Sequence, residues 1–347
     1  VQRGSRRHAA RRAIAWGLLA IVVANVGLAV AVETVWPQLR DPEYGYRIVR
    51  LRERQRQWPD RPLVLVLGSS RTQNAIHPQA MGFPDDTGTP WVFNFGMAGA
   101  GPVHQRILLQ KLLAHGVQPA AVLVELLPVT LATHHNVDPI FTQKVSRLSY
   151  DDLKRLEPYL VHPTELRHRW LKERLATWSS QQPVLLSHIA PSWQAWSQRI
   201  DHQWESLDDF GYTPYPAHNA AQKRAQRQEV ARSEYAAYLQ DLFISELATR
   251  AIRDLVAECR VAGIPVAFFI TPESPVFRSW YSPRTQEALR GYIDQLTTEL
   301  ACPVFLPPTD FTEDDFADGH HILPAAADRY SRWLAQTHLQ SWLKAHR

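Results

Sequence analysis

The sequence predicts an α/β fold, a three-layer sandwich of helices around a parallel sheet of about five strands. Three observations predict it. Apolar runs such as Leu63-Val64-Leu65-Val66-Leu67 are of the kind buried on both faces of a parallel sheet. From Pro62 onward such runs alternate with stretches of helical spacing. Turns rich in glycine, serine or asparagine follow the runs, on the edge where doubly wound sheets bind ligands.

Taken in order, the first twelve residues carry Arg3, Arg6, Arg7, Arg11 and Arg12 and no acid. Ala13 to Val32 then runs without a charge, with Asn25 its one strong polar group. As a helix this stretch is roughly 30 Å long, enough to cross the hydrocarbon core of a bilayer. Arginines on the preceding flank predict a cytoplasmic N-terminus and an extracytoplasmic remainder. A cleaved signal peptide is the rival reading, since Ala29-Val30-Ala31 has the small residues of a cleavage site. The formal net charge of +4 falls to −1 once those five arginines are set aside. The basic balance is therefore a topology signal, and nucleic acid is not an expected partner. Residues 33–61, rich in Arg, Glu and Gln, read as a juxtamembrane stalk.

The α/β domain is expected over 62–347. Leu63–Leu67 is its first strand and Trp91–Phe95 its second. Pro102 to His115 is a helix with proline in its first turn and Gly116 at its end. Ala121–Leu126 is the third strand, Ile264–Ile270 the fourth after a helix from about Phe243, and Pro303–Leu306 the fifth after a helix from Pro283 to Leu300. Pro324 to His346 closes the chain as a helix. Between about residues 130 and 240 the alternation stops, and a mostly helical insertion over the ligand edge is expected there. Pro214-Tyr215-Pro216 and Gln222 to Glu229 read as exposed loop within it. The sheet order implied is flavodoxin-like.

Two cysteines, Cys259 and Cys302, give neither zinc spacing nor a disulfide framework. His134-His135-Asn136 with Asp138, and His320-His321 with His162, lack clean ligand spacing, so no metal is assigned. The turn from Gly68 to Thr72 lacks the lysine and the length of a P-loop.

The chemistry-bearing residues lie far apart in sequence. Ser70 follows strand one, Asn94 and Gly99 sit at and beyond the end of strand two, and Asp318-Gly319-His320-His321 precedes the last helix. A serine hydroxyl needs a base to become a nucleophile, and that base needs an orienting carboxylate. Ser70, His321 and Asp318 supply these three groups. Singly, each has an ordinary structural use, Ser70 as a helix cap and Asp318 as a turn residue. Their joint order on the expected elements is what points to catalysis.

These blocks resemble those of SGNH (GDSL-like) hydrolases, in a membrane-anchored extracytoplasmic form. Gly68-Ser69-Ser70 matches the first block, with Ser69 where many members carry aspartate, and Ser70 takes the nucleophile's place. Asn94-Phe95-Gly96-Met97-Ala98-Gly99 matches the second, and Asp318-Gly319-His320-His321 the last. The resemblance implies an oxyanion hole from the backbone of Ser70 and Gly99, with Asn94 nearby. The third block departs: the family often shows G-x-N-D, and this chain reads Glu125-Leu126-Leu127-Pro128-Val129. Asn136 and Asn74 are the candidates for the missing donor. Arg71 and Asn136 are offered as substrate-binding positions, although a structural salt bridge serves Arg71 as well. Glu125 is expected to be structural, paired with an arginine.

The implied function is that of a membrane-tethered serine esterase or O-acyltransferase acting on acyl esters of carbohydrate or cell-envelope polymers. No cofactor is implied. The G-S-S form resembles relatives that work beside membrane-bound O-acyltransferases, which makes such an enzyme an expected partner along with the lipid bilayer. The alternative is a catalytically inactive accessory protein of the same fold that binds a glycan or an envelope partner, a reading the departed third block favours.

Overall fold

The computed structural model describes residues 2–132, 144–195, 199, 206–217 and 220–346. The chain divides into two compact units. One joins residues 1–46 with 144–205, and the other joins 47–143 with 206–347.

In the first unit, helix α1 spans Gln2–Val30 and continues as a wider helical turn over Ala31–Val35. His8–Val35 is long and apolar enough to cross a membrane. Helix α2, Pro42–Gln57, begins in this unit.

The second unit is built on a five-stranded, all-parallel sheet in the order β2-β1-β3-β4-β5. Strand β1 is Leu63–Gly68, followed by the short helix α3, Ser70–Ala75. Strand β2, Trp91–Gly96, leads into helix α4, Pro102–Ala114. Strand β3 is Ala121–Glu125. The chain then crosses the first unit's helices α5, Pro163–Leu175, and α6, Thr177–Ile189, both packed against α1. It returns to the second unit with helix α7, Ala220–Gln240, and helix α8, Glu246–Val261. Strand β4 is Val266–Phe269, helix α9 is Pro283–Leu300 and strand β5 is Val304–Phe305. Helix α10, Pro324–Leu334, passes through a widened turn into helix α11, Gln340–Ala345.

The continuous apolar runs form strands because both faces of the sheet are covered. Every residue of β1, β2, β3 and β4 is buried. Val64, Val66, Leu123, Ala267 and Phe269 pack in one cluster with Ala327, Tyr330 and Leu334 of α10 and with Leu339, Trp342 and Leu343 that follow it. Alternate residues such as Leu65 and Leu67 point to the other face, where α4 packs on β1 and α8 packs on α4. Strand order reverses between β1 and β3, so the ligand crevice of a doubly wound sheet is expected at their carboxyl ends.

One sequence expectation is revised, and two are given detail. Within the stalk the chain is helical over Pro42–Gln57, and Arg47, Ile48 and Leu51 of α2 are buried. The stretch Gln222 to Glu229 is not loop but part of α7, and the insertion expected over 130–240 is shared between the units.

Strand β2 is an edge of the sheet, and residues 208–213 cover it. Asp208 accepts the N–H groups of Phe210 and Tyr212, both at 2.8 Å, and so curls the chain. The Phe210 carbonyl then accepts Asn94 N–H at 2.8 Å. Gly211 allows this approach. Its φ is +83°, and a Cβ there would lie 2.0 Å from the Asn94 carbonyl oxygen. We expect Gly211→Ala to destabilise the chain by roughly 2 kcal/mol or more, read as a lowered melting temperature of the purified protein. An unchanged melting temperature would mean that the loop does not hold the edge strand.

Candidate active site

Ser70, the first residue of α3, stands directly past the end of β1. Ser69 caps the helix, its hydroxyl accepting Arg71 N–H at 3.1 Å. This turns the Ser70 side chain out of the sheet into a partly open position. From the other end of the chain, Asp318-Gly319-His320-His321 forms a tight turn ahead of α10. Gly319 takes φ +96°, a conformation open to glycine at little cost. The turn lets Asp318 Oδ1 accept the N–H groups of His320 at 3.1 Å and His321 at 2.8 Å. Its other oxygen, Oδ2, lies 2.6 Å from His321 Nδ1, and His321 Nε2 lies 2.9 Å from Ser70 Oγ. With the proton on Nδ1, which the carboxylate dictates, Nε2 is left as the acceptor of the serine proton.

The charges suit that arrangement. Burial alone would raise the Asp318 carboxyl. Its hydrogen bond to His321 and the charges of His321 and His320 outweigh burial and hold it below the usual carboxylate range. Asp318 therefore stays ionised, as an orienting group must. Tyr215 stacks on the His321 ring, with centroids 5.4 Å apart, and Arg227 lies over Tyr215.

A cavity of about 350 Å³ opens beside Ser70. It gathers Arg71 from behind β1, Gly99 and Pro102 from behind β2, and Leu127 and Thr130 from behind β3. These are the strand ends that flank the topological switch, and Tyr235 and Tyr238 of α7 close the far side. Arg71 is buried and bonded through Nη1 to Glu273 Oε1 at 2.5 Å, which also accepts the Tyr281 hydroxyl at 2.9 Å. Burial alone would lower the guanidinium; Glu273 outweighs it and raises it, so Arg71 is a fixed cation. Its Nη2 has no hydrogen-bond partner among the described residues.

The structure thus brings Ser70, His321, Asp318, Gly99 and Arg71 to one place. Asn94 is not turned toward it. The Asn94 amide donates to the carbonyls of Thr72 at 2.9 Å and Ile76 at 2.6 Å, and its oxygen accepts Gly96 N–H at 2.9 Å. It ties β2 to α3 and has no donor left for an oxyanion. Asn74 is likewise committed, to the Thr213 carbonyl at 2.7 Å. Asn136, with His134, His135 and Asp138, lies outside the described residues. Glu125 hydrogen-bonds Ser69 N–H at 2.6 Å and the Thr271 hydroxyl at 3.1 Å, and no arginine hydrogen-bonds to it among the described residues.

Sequence reasoning missed Tyr215, read as exposed loop, although an aromatic held between two prolines was the available signal. It also missed Glu273, which the segment after β4 placed on the right edge. Asp318, His320 and His321 offer one possible metal-ligand atom each within 4.8 Å of one another. Two of those side chains, Asp318 and His321, are engaged in the relay to Ser70.

His320 differs from its neighbour. It is buried against Phe277 and Tyr235. Burial pushes its imidazole well below the ordinary value, and the charges of His321 and Arg71 act the same way against Asp318. A histidine kept neutral by folding contributes stability above its unfolded value of about 6.5, and loses it as pH falls below that value. The unfolding free energy should therefore decline below about pH 6.5, with an added slope approaching about 1.4 kcal/mol per pH unit. His320→Gln should lack that added slope. Denaturant unfolding of both proteins between about pH 7.5 and pH 5 checks this.

No curated protein matches the chain. A family model described as protein of unknown function (DUF1574) matches residues 45–336, from α2 through the end of α10 and so across the whole candidate site. The chain belongs to that family.

Proposed function

We propose that the chain is a membrane-tethered serine esterase or O-acyltransferase of SGNH type, acting on acyl esters of carbohydrate or cell-envelope polymers. The observation that carries this reading is the relay from Asp318 through His321 to Ser70, with hydrogen-bonding distances of 2.6 and 2.9 Å. Ser70 Oγ attacks the ester carbonyl carbon while His321 Nε2 takes its proton. The tetrahedral oxyanion faces the backbone N–H groups of Ser70 and Gly99. As the carbonyl re-forms, the C–O bond to the leaving alcohol breaks, and His321 returns the proton to that alcohol. Water or a sugar hydroxyl then gives its proton to His321 and attacks the acyl-serine, releasing acid or a new ester. The largely apolar cavity beside Ser70 suits the acyl group. Asp318 holds the imidazole tautomer and balances the imidazolium in both steps.

The membrane part of the proposal rests on α1. With arginines before the span, the N-terminus stays cytoplasmic and the α/β unit lies outside. Protease added outside spheroplasts should then degrade the chain beyond residue 40. Protection of that region in intact spheroplasts would overturn this orientation.

The chemical part is tested by substitution. Ser70→Ala and His321→Ala should each lower ester turnover by at least about 10³-fold, because the three groups act as a unit. Asp318→Asn should cost somewhat less, since nucleophile and base remain. Ser69→Ala removes a helix cap and should cost about 1 kcal/mol of stability while leaving turnover nearly intact. A fluorophosphonate probe should label the wild type and not Ser70→Ala. If Ser70→Ala matches the wild type on acyl esters and the probe labels neither, the chain is instead an accessory protein that binds a glycan without cleaving it.

A further inference from the structure

From Leu175 to Gln198 the chain carries no Asp, Glu, Lys or Arg. Helix α6 lies in this stretch, and its apolar residues are not all buried. Leu171, Leu175 and Trp178 around the α5–α6 junction are 50, 68 and 50% exposed, and Ile189 and Trp193 are 74 and 81% exposed. A soluble helical pair would bury side chains of this size.

The position of the junction along α1 says what covers them. The helix ladder breaks at Ala176, with φ −116° and ψ 39°, which leaves nearby backbone groups without helical partners. Asn25 of α1 meets two of them. Its Nδ2 donates to the Leu175 carbonyl at 2.6 Å, and its Oδ1 accepts Trp178 N–H at 3.1 Å. Asn25 lies well inside the apolar span His8–Val35. Eight residues further on, about 12 Å along the helix axis, Glu33 accepts Arg40 at 2.9 Å and Arg174 at 3.1 Å. The Arg174 backbone stands next to the junction, yet its guanidinium reaches back to Glu33 and to the Leu148 and Ser146 carbonyls. That is the posture of a snorkelling arginine. Arg167 and Arg169 lie about two turns up α5 from Leu175, at headgroup height if Leu175 is level with Asn25. Water would satisfy exposed backbone groups at a helix break. In hydrocarbon they need a protein partner, and Asn25 is one.

We infer that α5 and α6 form a re-entrant hairpin whose charge-free tip, from Leu175 to Trp178, enters the lipid beside α1, in the leaflet that holds the Glu33 end, with Lys172 and Glu173 marking where the charged part of α5 ends. This rests on the reading that α1 crosses the membrane. The partner is the bilayer itself. Its hydrocarbon covers Leu175 and Trp178, Leu171 lies nearer the surface beside Lys172 and Glu173, and Trp36 and Trp193 fit the interfacial level.

The test uses the full chain in vesicles of phosphatidylcholine and phosphatidylglycerol. An environment-sensitive fluorophore is attached through Leu175→Cys, Leu171→Cys, Val23→Cys or Val261→Cys. Labelling at neutral pH spares Cys259 and Cys302, whose thiols burial pushes up, Cys259 to about 12. Emission is quenched from the lipid side by nitroxide-bearing lipid and from the water side by iodide. Val261, 92% exposed on the α/β unit, should lose emission to iodide alone. Val23 and Leu175 should both lose emission to the lipid quencher and neither to iodide, with Leu171 following Leu175 at shallower depth. If Val23 behaves this way but Leu175 and Leu171 are quenched by iodide, the hairpin proposal falls and the membrane span stands. If Val23 itself is quenched by iodide, the span falls and the hairpin with it. Leu175 quenched by neither reagent would mean that protein, in these vesicles a second copy, covers the tip, which also overturns the proposal.

Discussion

A carboxylate in the middle of the sheet holds the site together. Glu125 ends β3, is fully buried, and binds Ser69 N–H with one oxygen and the Thr271 hydroxyl with the other. It therefore joins the carboxyl ends of β1, β3 and β4, three strands whose sequence positions span well over half the chain. A buried carboxyl group is costly unless each oxygen is satisfied, and these two hydrogen bonds fix the three strand ends relative to one another. The bond to Ser69 acts on the residue immediately before Ser70, and so on the direction from which Ser70 enters the cavity.

Much of this was written in short-range patterns. The strands are legible because residues buried on both faces must be apolar throughout, and Leu63-Val64-Leu65-Val66-Leu67 leaves little else to assign. The Asp318-to-His321 spacing is legible because a three-residue turn closes that hydrogen bond locally. What could not be read were roles set by partners distant in sequence. Asn94 looks like a site residue from its place after β2, yet its amide is drawn to the Thr72 and Ile76 carbonyls. Glu125 suggested an arginine partner and instead found a backbone N–H and a hydroxyl. Tyr215, between two prolines, resembles solvent-facing loop until the fold lays it on His321. The Gln222–Glu229 stretch has too few apolar residues to announce a helix, and it becomes one within α7, which also carries Tyr235 and Tyr238 to the cavity.

Polar residues in the first unit follow the same rule. Asn25 interrupts an otherwise apolar span, an expensive choice in lipid unless its amide is used. It is used, on both backbone groups at the α5–α6 break. Glu33 collects Arg40 and Arg174, so the charge at that end of the span is paired within the unit. The same physics that keeps Glu125 in the sheet keeps Asn25 in the helix: a polar group is tolerated away from water when its partners are already in place.

Two adjacent histidines show how finely position assigns chemistry here. His321 points its Nε2 at Ser70 and its Nδ1 at Asp318. His320, with ring centroid only 4.2 Å from that of His321, points into a wall of Phe277 and Tyr235, and its Nδ1 is 3.4 Å from Asp318 without a hydrogen bond. Burial keeps His320 neutral. A proton on it would place a positive charge beside the His321 ring and would compete with His321 for the charge of Asp318. The burial of His320 thus reserves the Asp318 charge for His321. The pair Gly319 and Asp318 makes this possible from backbone alone, because one turn both presents two N–H groups to the carboxylate and sends consecutive imidazoles to opposite environments. That asymmetry leaves His321, and not His320, with Asp318 at one ring nitrogen and Ser70 at the other.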